Sequence, residues 1–345
     1  VRPVFTLTPN IDNNGHGETY MRKWIIGLLV LASASGWIPE VAADSHEDQK
    51  AVLVTGASSG IGRYITERLA GEGFYVYAGA RKQADIDELD AIDNVQALRL
   101  DVTAQDEIDA AVETVREGGR GLFGLVNNAG VYIGGPATDV PVEELEWIMD
   151  VNVFGVYRVT KAFAPMIIES KGRITTIGSI SGILARSFGG HYSMTKHAIE
   201  AYTDSLAELM EPVGVRVSVI EPGNYDSRIA ESALQRMKDK NAQYARDGSP
   251  FAEDFDAWLD RDWDRSVYKP PHEVADAAYR FFTDDSTLRR YMVVPVEREA
   301  RITIEQIIRE MVQLNEGQAY SYSRDELVEM LDAALAPADE DPAAE

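Results

Sequence analysis

The 345-residue sequence contains no cysteine, which excludes disulfides, thiol catalysis and thiolate-bound metal sites. Its five histidines are scattered without metal-ligand spacing, so we expect no metal. Positive charge is also scarce, since 33 Lys and Arg stand against 57 Asp and Glu, for a formal net charge of −24. This balance argues against nucleic acid or an anionic membrane surface as a partner. A solvated acidic surface explains it, and a salt-adapted source is the alternative.

An apolar run, Trp24 to Ile38, lies near the N-terminus. The charged segment Met21 to Lys23 precedes it, and small residues at 41–43 follow it. This order is typical of a secretory signal peptide, and the run is short for a membrane span. We predict an over-extended segment at 1–20 and a signal peptide or membrane anchor at 21–43. A functional signal would make the protein exported, periplasmic or membrane-anchored, and otherwise it would be cytoplasmic.

After residue 50, short apolar runs of strand character alternate with helical patterns. Strands are predicted at 51–55, 74–79, 95–100, 122–126, 173–177, 215–220 and 291–294, and helices at 61–71, 84–91, 104–117, 142–169, 192–211 and 271–283. The alternation predicts the α/β class, as a doubly wound parallel sheet of Rossmann type with helices on both faces. Residues 224–270 interrupt it with mixed charged and aromatic residues, and two further helices are predicted at 299–315 and 323–335.

A glycine-rich turn, Gly56-x-x-x-Gly60-x-Gly62, joins the first strand to the first helix. Such a turn lets backbone N–H groups approach a pyrophosphate at the helix N-terminus, where the helix dipole favours an anion. The spacing differs from the more common G-x-G-x-x-G, and a tight turn without a ligand is the alternative. Its position between a strand and a helix favours a nucleotide.

Tyr192 and Lys196 are four residues apart on a predicted helix, so their side chains share one face. A free tyrosine titrates near 10, and a neighbouring ammonium favours the phenolate. Such a phenol can exchange a proton with a bound alcohol or ketone. Ser179 precedes the tyrosine by thirteen residues.

These motifs together resemble the short-chain dehydrogenase/reductase family, in its compact single-domain branch. The resemblance runs over about 50–295, and further family motifs follow in the expected order: Leu100-Asp101-Val102, Asn127-Asn-Ala-Gly130, Asn152 and Pro222-Gly223. It implies a Rossmann-type dehydrogenase domain at 50–295 with a substrate lid at 224–270. The remaining chain would form a C-terminal helical extension at 296–335 and an acidic tail at 336–345. A homodimer or homotetramer through helices 142–169 and 192–211 is also implied.

The resemblance implies a catalytic set of four residues. Tyr192 would be the general acid/base, and Lys196 would lower its pKa and bind the nicotinamide ribose. Ser179 would donate to the substrate oxygen, with Ser181 as its rival for that role. Asn152 would hold a water that links the lysine to solvent.

The resemblance also implies the coenzyme contacts, at Thr55, Gly56, Ser58, Ser59, Gly60, Ile61, Gly62, Arg81, Asp101, Val102, Asn128, Ala129, Gly130, Tyr192, Lys196, Pro222, Gly223 and Ser227. The second strand ends in Ala80-Arg81, without the acid that usually accepts the ribose hydroxyls of NAD. A guanidinium there suits a 2′-phosphate, so NADP is predicted, with NAD as the alternative. Arg81 as a solvated surface charge is the competing interpretation.

The predicted function is an NADP(H)-dependent oxidoreductase that interconverts an alcohol and a ketone or aldehyde by hydride transfer. The segment Glu221 to Ser227 and the alanine–arginine strand end are similar to hydroxysteroid and retinol dehydrogenases, which implies a bulky apolar small-molecule substrate. A dinucleotide-binding redox sensor or scaffold without turnover is the alternative, although such relatives typically lose the tyrosine or the lysine. A sugar-nucleotide epimerase or dehydratase shares Y-x-x-x-K but usually carries another glycine loop and a larger C-terminal domain.

Overall fold

The structure, a computed structural model, describes residues 49–240, 248–261, 263–264 and 267–336. Seven parallel strands form one sheet in the order β3-β2-β1-β4-β5-β6-β7. They are β1 (Ala51–Val54), β2 (Tyr75–Ala80), β3 (Val95–Arg99), β4 (Gly124–Asn127), β5 (Arg173–Ile177), β6 (Arg216–Pro222) and β7 (Arg290–Val293). The strand order reverses between β1 and β4, and in such sheets ligands bind in the crevice beyond the carboxyl ends at this point.

The helices α1 to α11 are Gly60–Gly71, Gln83–Asp90, Gln105–Glu117, Val142–Met149, Gly155–Glu169, Gly190–Met210, Ile229–Asp239, Ala252–Leu259, His272–Thr283, Glu297–Asn315 and Arg324–Leu335. Alternate residues of β1 enter different cores, because side chains of a strand point to opposite faces. Val52 and Val54 pack with α1, α2 and α9, whereas Ala51 and Leu53 pack with α3, α5 and α6. The sheet is therefore covered on both faces, and the predicted fold class is confirmed.

The predicted helix at 142–169 is interrupted in the structure. A π-helical turn, Asp150–Phe154, separates α4 from α5, and it carries the buried Asn152. Single π-helical turns inside helices are frequent at functional sites. Periodicity over this stretch could not reveal the turn, because the apolar pattern continues through it.

The predicted segments at 1–20 and 21–43 lie outside the described residues, as does all of the predicted tail after Ala336. In the part of the chain that is described, no helix combines the length and apolar content needed to cross a membrane. Both helices predicted beyond residue 295 are present, as α10 and α11.

Candidate active site

The glycine turn after β1 is held against the segment that follows β4. Thr55 Oγ1 accepts hydrogen bonds from Asn128 N (2.9 Å) and Ala129 N (3.0 Å), and Asn128 Nδ2 donates to Thr55 O (2.9 Å) and Gly56 O (3.0 Å). A Cβ on Gly62 would overlap Asn128 Nδ2 and Gly56 O. Gly56 has φ of +64° and lies so close to Ala129 that a Cβ would come within 2.9 Å of its Cα. Both positions therefore require glycine.

The turn leads from the end of β1 into the N-terminus of α1. Among the described residues, Ser59 makes no side-chain cap on α1, and the first turn of this helix contains no acidic residue. The positive end of the helix dipole is thus not neutralised by the helix's own side chains. Ser227 borders the turn, since a Cβ on Gly60 would lie 3.5 Å from Ser227 Cβ. These features fit the pyrophosphate of a dinucleotide.

The end of β2 carries an exposed cation. The Arg81 side chain is 65% exposed, and its Nη1 lies 3.6 Å from Asp101 Oδ2. Asp101 Oδ1 accepts bonds from Thr103 N (2.9 Å) and Thr103 Oγ1 (2.7 Å). Burial tends to raise the pKa of Asp101, but the Thr103 hydrogen bonds and the Arg81 charge outweigh it, so the pKa lies below its ordinary value. Arg81 therefore adjoins an ionised carboxylate and retains solvent access.

Helix α6 places Tyr192 and Lys196 beside the end of β5. Lys196 Nζ lies 5.5 Å from the centroid of the Tyr192 ring and donates a 2.7 Å hydrogen bond to Ile177 O, two residues before Ser179. The Tyr192 ring also packs on Tyr132, with centroids 5.0 Å apart. Burial lowers the pKa of Lys196 to about 8, although Glu200 opposes this shift.

Ser179 and Ser181 differ in their hydrogen bonding. Ser179 is the N-cap of a short 3₁₀ turn, Ile180–Gly182, and its Oγ accepts a 3.0 Å bond from Ser181 N. This bond fixes the Ser179 oxygen at the end of β5. The predicted rival, Ser181, supplies its backbone N–H to hold Ser179.

Asn152 lies at the centre of the π-helical turn and is only 1% exposed. Its Oδ1 accepts from Val131 N (2.8 Å), and its Nδ2 donates to Val131 O (2.9 Å) and Thr195 Oγ1 (3.1 Å). Asn152 thus ties the segment after β4 to α6, beside Lys196. Its predicted role in holding a water stays a prediction.

An aromatic cluster covers the Tyr192 side of the site. Phe188 packs on Phe255 and Trp258 with ring centroids 5.7 Å from each, and Trp258 meets Trp263 edge-on at 4.6 Å. Tyr192 packs at the edge of the same cluster. The predicted lid segment therefore contributes aromatic side chains next to the predicted catalytic tyrosine.

Several residues of the site region were not identified from the sequence. Glu144, 2% exposed, accepts from Arg236 Nε (2.7 Å) and Nη2 (2.9 Å) and pairs with Lys240, which anchors α7 to α4. Glu299 of α10 accepts from Asn224 N (2.9 Å) and Nδ2 (2.7 Å), next to Gly223. In the sequence, Asn224 is marked only by its position after Pro222-Gly223, and Glu144 and Glu299 are single carboxylates on predicted helices. None of these features indicates a partner that is distant in sequence.

Comparison with known proteins finds a matching family model and several similar enzymes. The family model described as short chain dehydrogenase matches residues 50–238. The mitochondrial D-beta-hydroxybutyrate dehydrogenase of Rattus norvegicus is 40% identical over 199 residues, which cover 55% of this chain and 58% of that protein. The Bos taurus enzyme of the same name is 41% identical over 238 residues, or 65% of this chain and 68% of that protein. The 17-beta-hydroxysteroid dehydrogenase type 6 of Bos taurus is 36% identical, covering 61% and 68%.

The match to the rat enzyme thus spans less than two thirds of its length. Among solved structures, a short-chain dehydrogenase from Streptomyces avermitilis has a TM-score of 0.65 and 28% identity, covering 78% of this chain and 96% of that one. An actinorhodin polyketide ketoreductase with NADPH has a TM-score of 0.59 and 27% identity, covering 72% and 97%. A 3-ketoacyl-(acyl-carrier-protein) reductase from Brucella melitensis with NADH has a TM-score of 0.59 and 25% identity, covering 73% and 98%.

Proposed function

The chain belongs to the short chain dehydrogenase family, and we propose that it is an NADP(H)-dependent oxidoreductase that interconverts an alcohol and a ketone or aldehyde. The observation that carries this proposal is the convergence of Tyr192, Lys196 and the Ser179 turn at the carboxyl end of β5. The glycine turn after β1 opens on the same edge of the parallel sheet, so one dinucleotide could reach both.

The residues present fit a nicotinamide dinucleotide. The bare glycine turn and the N-terminus of α1 would hold its pyrophosphate, and Arg81 would face its adenosine ribose. Ser227, beside Gly60, would hold its nicotinamide end together with Lys196. When bound, the coenzyme supplies or accepts the hydride.

Tyr192 then moves the proton. In alcohol oxidation its phenolate accepts the hydroxyl proton, and in reduction the phenol donates to the carbonyl oxygen. Lys196 favours the phenolate because its ammonium is close and largely removed from solvent. Ser179 accepts from Ser181 N, so the Ser179 O–H serves as a donor that orients the substrate oxygen.

Replacing Tyr192 with Phe tests this assignment, since the variant keeps the ring contact with Tyr132 and removes only the hydroxyl. We expect kcat to fall by about 100- to 10,000-fold while the coenzyme Kd stays within about twofold. Turnover and coenzyme fluorescence titration measure the two quantities. Unchanged turnover would refute the proposed acid/base. Coenzyme binding by the wild-type protein without turnover of any alcohol would favour the redox sensor or scaffold.

The NADP preference is supported by the absence of an acid at Ala80-Arg81 and by the exposure of the Arg81 guanidinium. One solved relative was determined with NADPH and another with NADH, so similarity alone does not choose. We expect Arg81→Asp to weaken NADP⁺ binding by about 10- to 100-fold and to keep or improve NAD⁺ binding. Arg116→Asp, on the exposed face of α3, is the matched control for lost surface charge. If Arg81→Asp weakened the binding of NADP⁺ and NAD⁺ equally, Arg81 would be only a solvated surface charge.

A bulky apolar substrate is supported by the aromatic cluster of Phe188, Phe255 and Trp258 beside Tyr192. Relatives named for steroids agree with this, whereas those named for D-beta-hydroxybutyrate would favour a short hydroxy acid.

A cavity of about 430 Å³ opens beside Ser227, lined by Arg228 but also by the carboxylates of Asp226, Glu231 and Asp264. Carboxylates beside Ser227, where the nicotinamide end is proposed to lie, would repel an anionic substrate bound there. Comparing kcat/KM for a steroid alcohol, retinol and 3-hydroxybutyrate distinguishes a bulky apolar substrate from a short hydroxy acid. A higher kcat/KM for 3-hydroxybutyrate would reject the proposal of an apolar substrate.

We also propose a homodimer or homotetramer through α5 and α6. Exposed apolar side chains support it on these helices and on the π-helical turn before α5: Phe154 is 50% exposed, Tyr157 51% and Leu209 70%. Light scattering after size exclusion should give a molar mass of two or four times the 38.1 kDa of one chain. A monomer at micromolar concentration would refute this assembly.

A further inference from the structure

Two carboxyl groups, those of Glu200 and Glu221, lie next to the proposed catalytic residues. Glu200 is one helical turn beyond Lys196 on α6, and its carboxylate packs against the segment that carries Ser179. A Cβ on Gly178 would lie 3.2 Å from Glu200 Oε1, and one on Gly182 would lie 2.9 Å from it. Glycines at both ends of the serine turn therefore make room for this carboxylate.

Glu221 of β6 approaches Glu200 from the sheet. It is 3% exposed, and the two carboxyl groups are within hydrogen-bonding reach of each other. Oε1 of each residue is buried and has no donor among the described residues. Two ionised carboxylates contain no donor, whereas one proton placed between them satisfies both oxygens.

Arg290 of β7 decides which carboxylate keeps the charge. Its Nε lies 3.2 Å from Glu200 Oε2, and its Nη2 lies 2.7 Å from Asp204 Oδ2. Burial and the neighbouring Glu200 raise the pKa of Glu221 to about 8. Burial also raises the pKa of Glu200, but the Arg290 charge opposes that shift, so at neutral pH the pair holds one proton, mainly on Glu221.

We propose that Glu200 and Glu221 form a proton-sharing pair that holds the Lys196 ammonium in its charged state, which makes both of them positioning residues for the reaction. The inference rests on the proposed function, because it acts through Lys196. Lys196 is 7% exposed, so burial alone works against its charge. The titratable and charged groups around it in the described chain are Tyr192 and Glu200 on α6, Glu221 on β6, and Arg290 on β7 through Glu200.

Removing the Glu200 charge should let Lys196 lose its proton at lower pH. In alcohol oxidation, Glu200→Gln is therefore expected to move the alkaline limb of the kcat profile down by on the order of one pH unit. Glu221→Gln should move it less, since an amide N–H can replace the shared proton and leave Glu200 ionised. Asp204→Asn is the matched control, because this carboxylate shares Arg290 but is 47% exposed. Its limb should coincide with that of the wild-type protein.

The experiment compares pH profiles of the full chain with saturating NADP⁺ and the best alcohol of the substrate panel. Infrared spectra at neutral pH are recorded on the same proteins, for the C=O stretch of a protonated carboxyl. The inference predicts this band in the wild-type protein and in Asp204→Asn, and its loss in Glu221→Gln.

An alkaline limb in Glu200→Gln that coincides with the wild-type limb would overturn the inference, and so would absence of the infrared band from the wild-type protein. If the wild-type protein has no turnover, the proposed function fails separately, and the infrared band and its loss in Glu221→Gln still decide whether Glu221 holds a proton at neutral pH. The band also decides if Glu200→Gln does not fold, because it needs only the wild-type protein and the Glu221→Gln variant.

Discussion

Replacing Glu221 with Gln should remove a pH-dependent loss of stability from the folded protein. Glu221 is 3% exposed on β6, and burial together with Glu200 raises its pKa from 4.5 to about 8. The unfolded chain titrates this carboxyl near its ordinary value. Between these two values the folded state therefore binds more protons than the unfolded state, and stability falls as pH rises.

The size of the effect follows from the same two values. A pKa raised from 4.5 to about 8 corresponds to roughly 5 kcal/mol of stability, all of it lost once the pH exceeds about 8. Sharing of the proton with Glu200 spreads part of this loss over both carboxyl groups. A glutamine fills the same volume, cannot ionise, and still offers a donor to Glu200. The stability of Glu221→Gln relative to wild type should thus rise by several kcal/mol from pH 5 to pH 8.

Urea unfolding followed by tryptophan fluorescence at pH 5, 6, 7 and 8 measures this difference. Titrating groups outside the Glu200–Glu221 pair are common to both proteins and cancel in the comparison. Asp204→Asn serves as the control, because its carboxylate is half exposed and its pH dependence should follow wild type. Parallel curves for Glu221→Gln and wild type would refute a raised pKa. A glutamine variant that is less stable at pH 8 would instead indicate that Glu221 is ionised and stabilised by Arg290.

The remaining predictions concern the glycine turn, the lid and the C-terminal extension. Gly62→Ala should weaken coenzyme binding at least tenfold by fluorescence titration, because its methyl group overlaps Gly56 O; the control Gly71→Ala, with open space around it, should bind normally. Glu144→Gln should lower the free energy of unfolding by about 2 kcal/mol, since it weakens a buried ion pair whose partners stay partly exposed, and an unchanged urea midpoint would contradict this. Glu299→Ala should expose α10 to limited proteolysis, and an unaltered cleavage pattern would show that this contact does not hold the helix.

The sequence by itself determined the fold class and the local motifs. Alternating apolar strands and helices are encoded within short windows, so the sheet followed from periodicity, and the glycine turn was recognised from its position between β1 and α1. Tyr192 and Lys196 could be paired because four residues span one helical turn. The spacing to Ser179 came from family resemblance, and the structure brings its turn to the same strand end as Lys196.

The tertiary structure alone decided the contacts between elements distant in sequence. The π-helical turn at Asn152 is stabilised by Val131, from another segment, so no local pattern could indicate it. Likewise, the pairing of Glu200 with Glu221 depends on how α6 packs on β6. The local sequence around Glu200 or Glu221 indicates only an ordinary charged residue. Only the packed fold removes both carboxyl groups from water, and that loss of solvation forces them to share a proton.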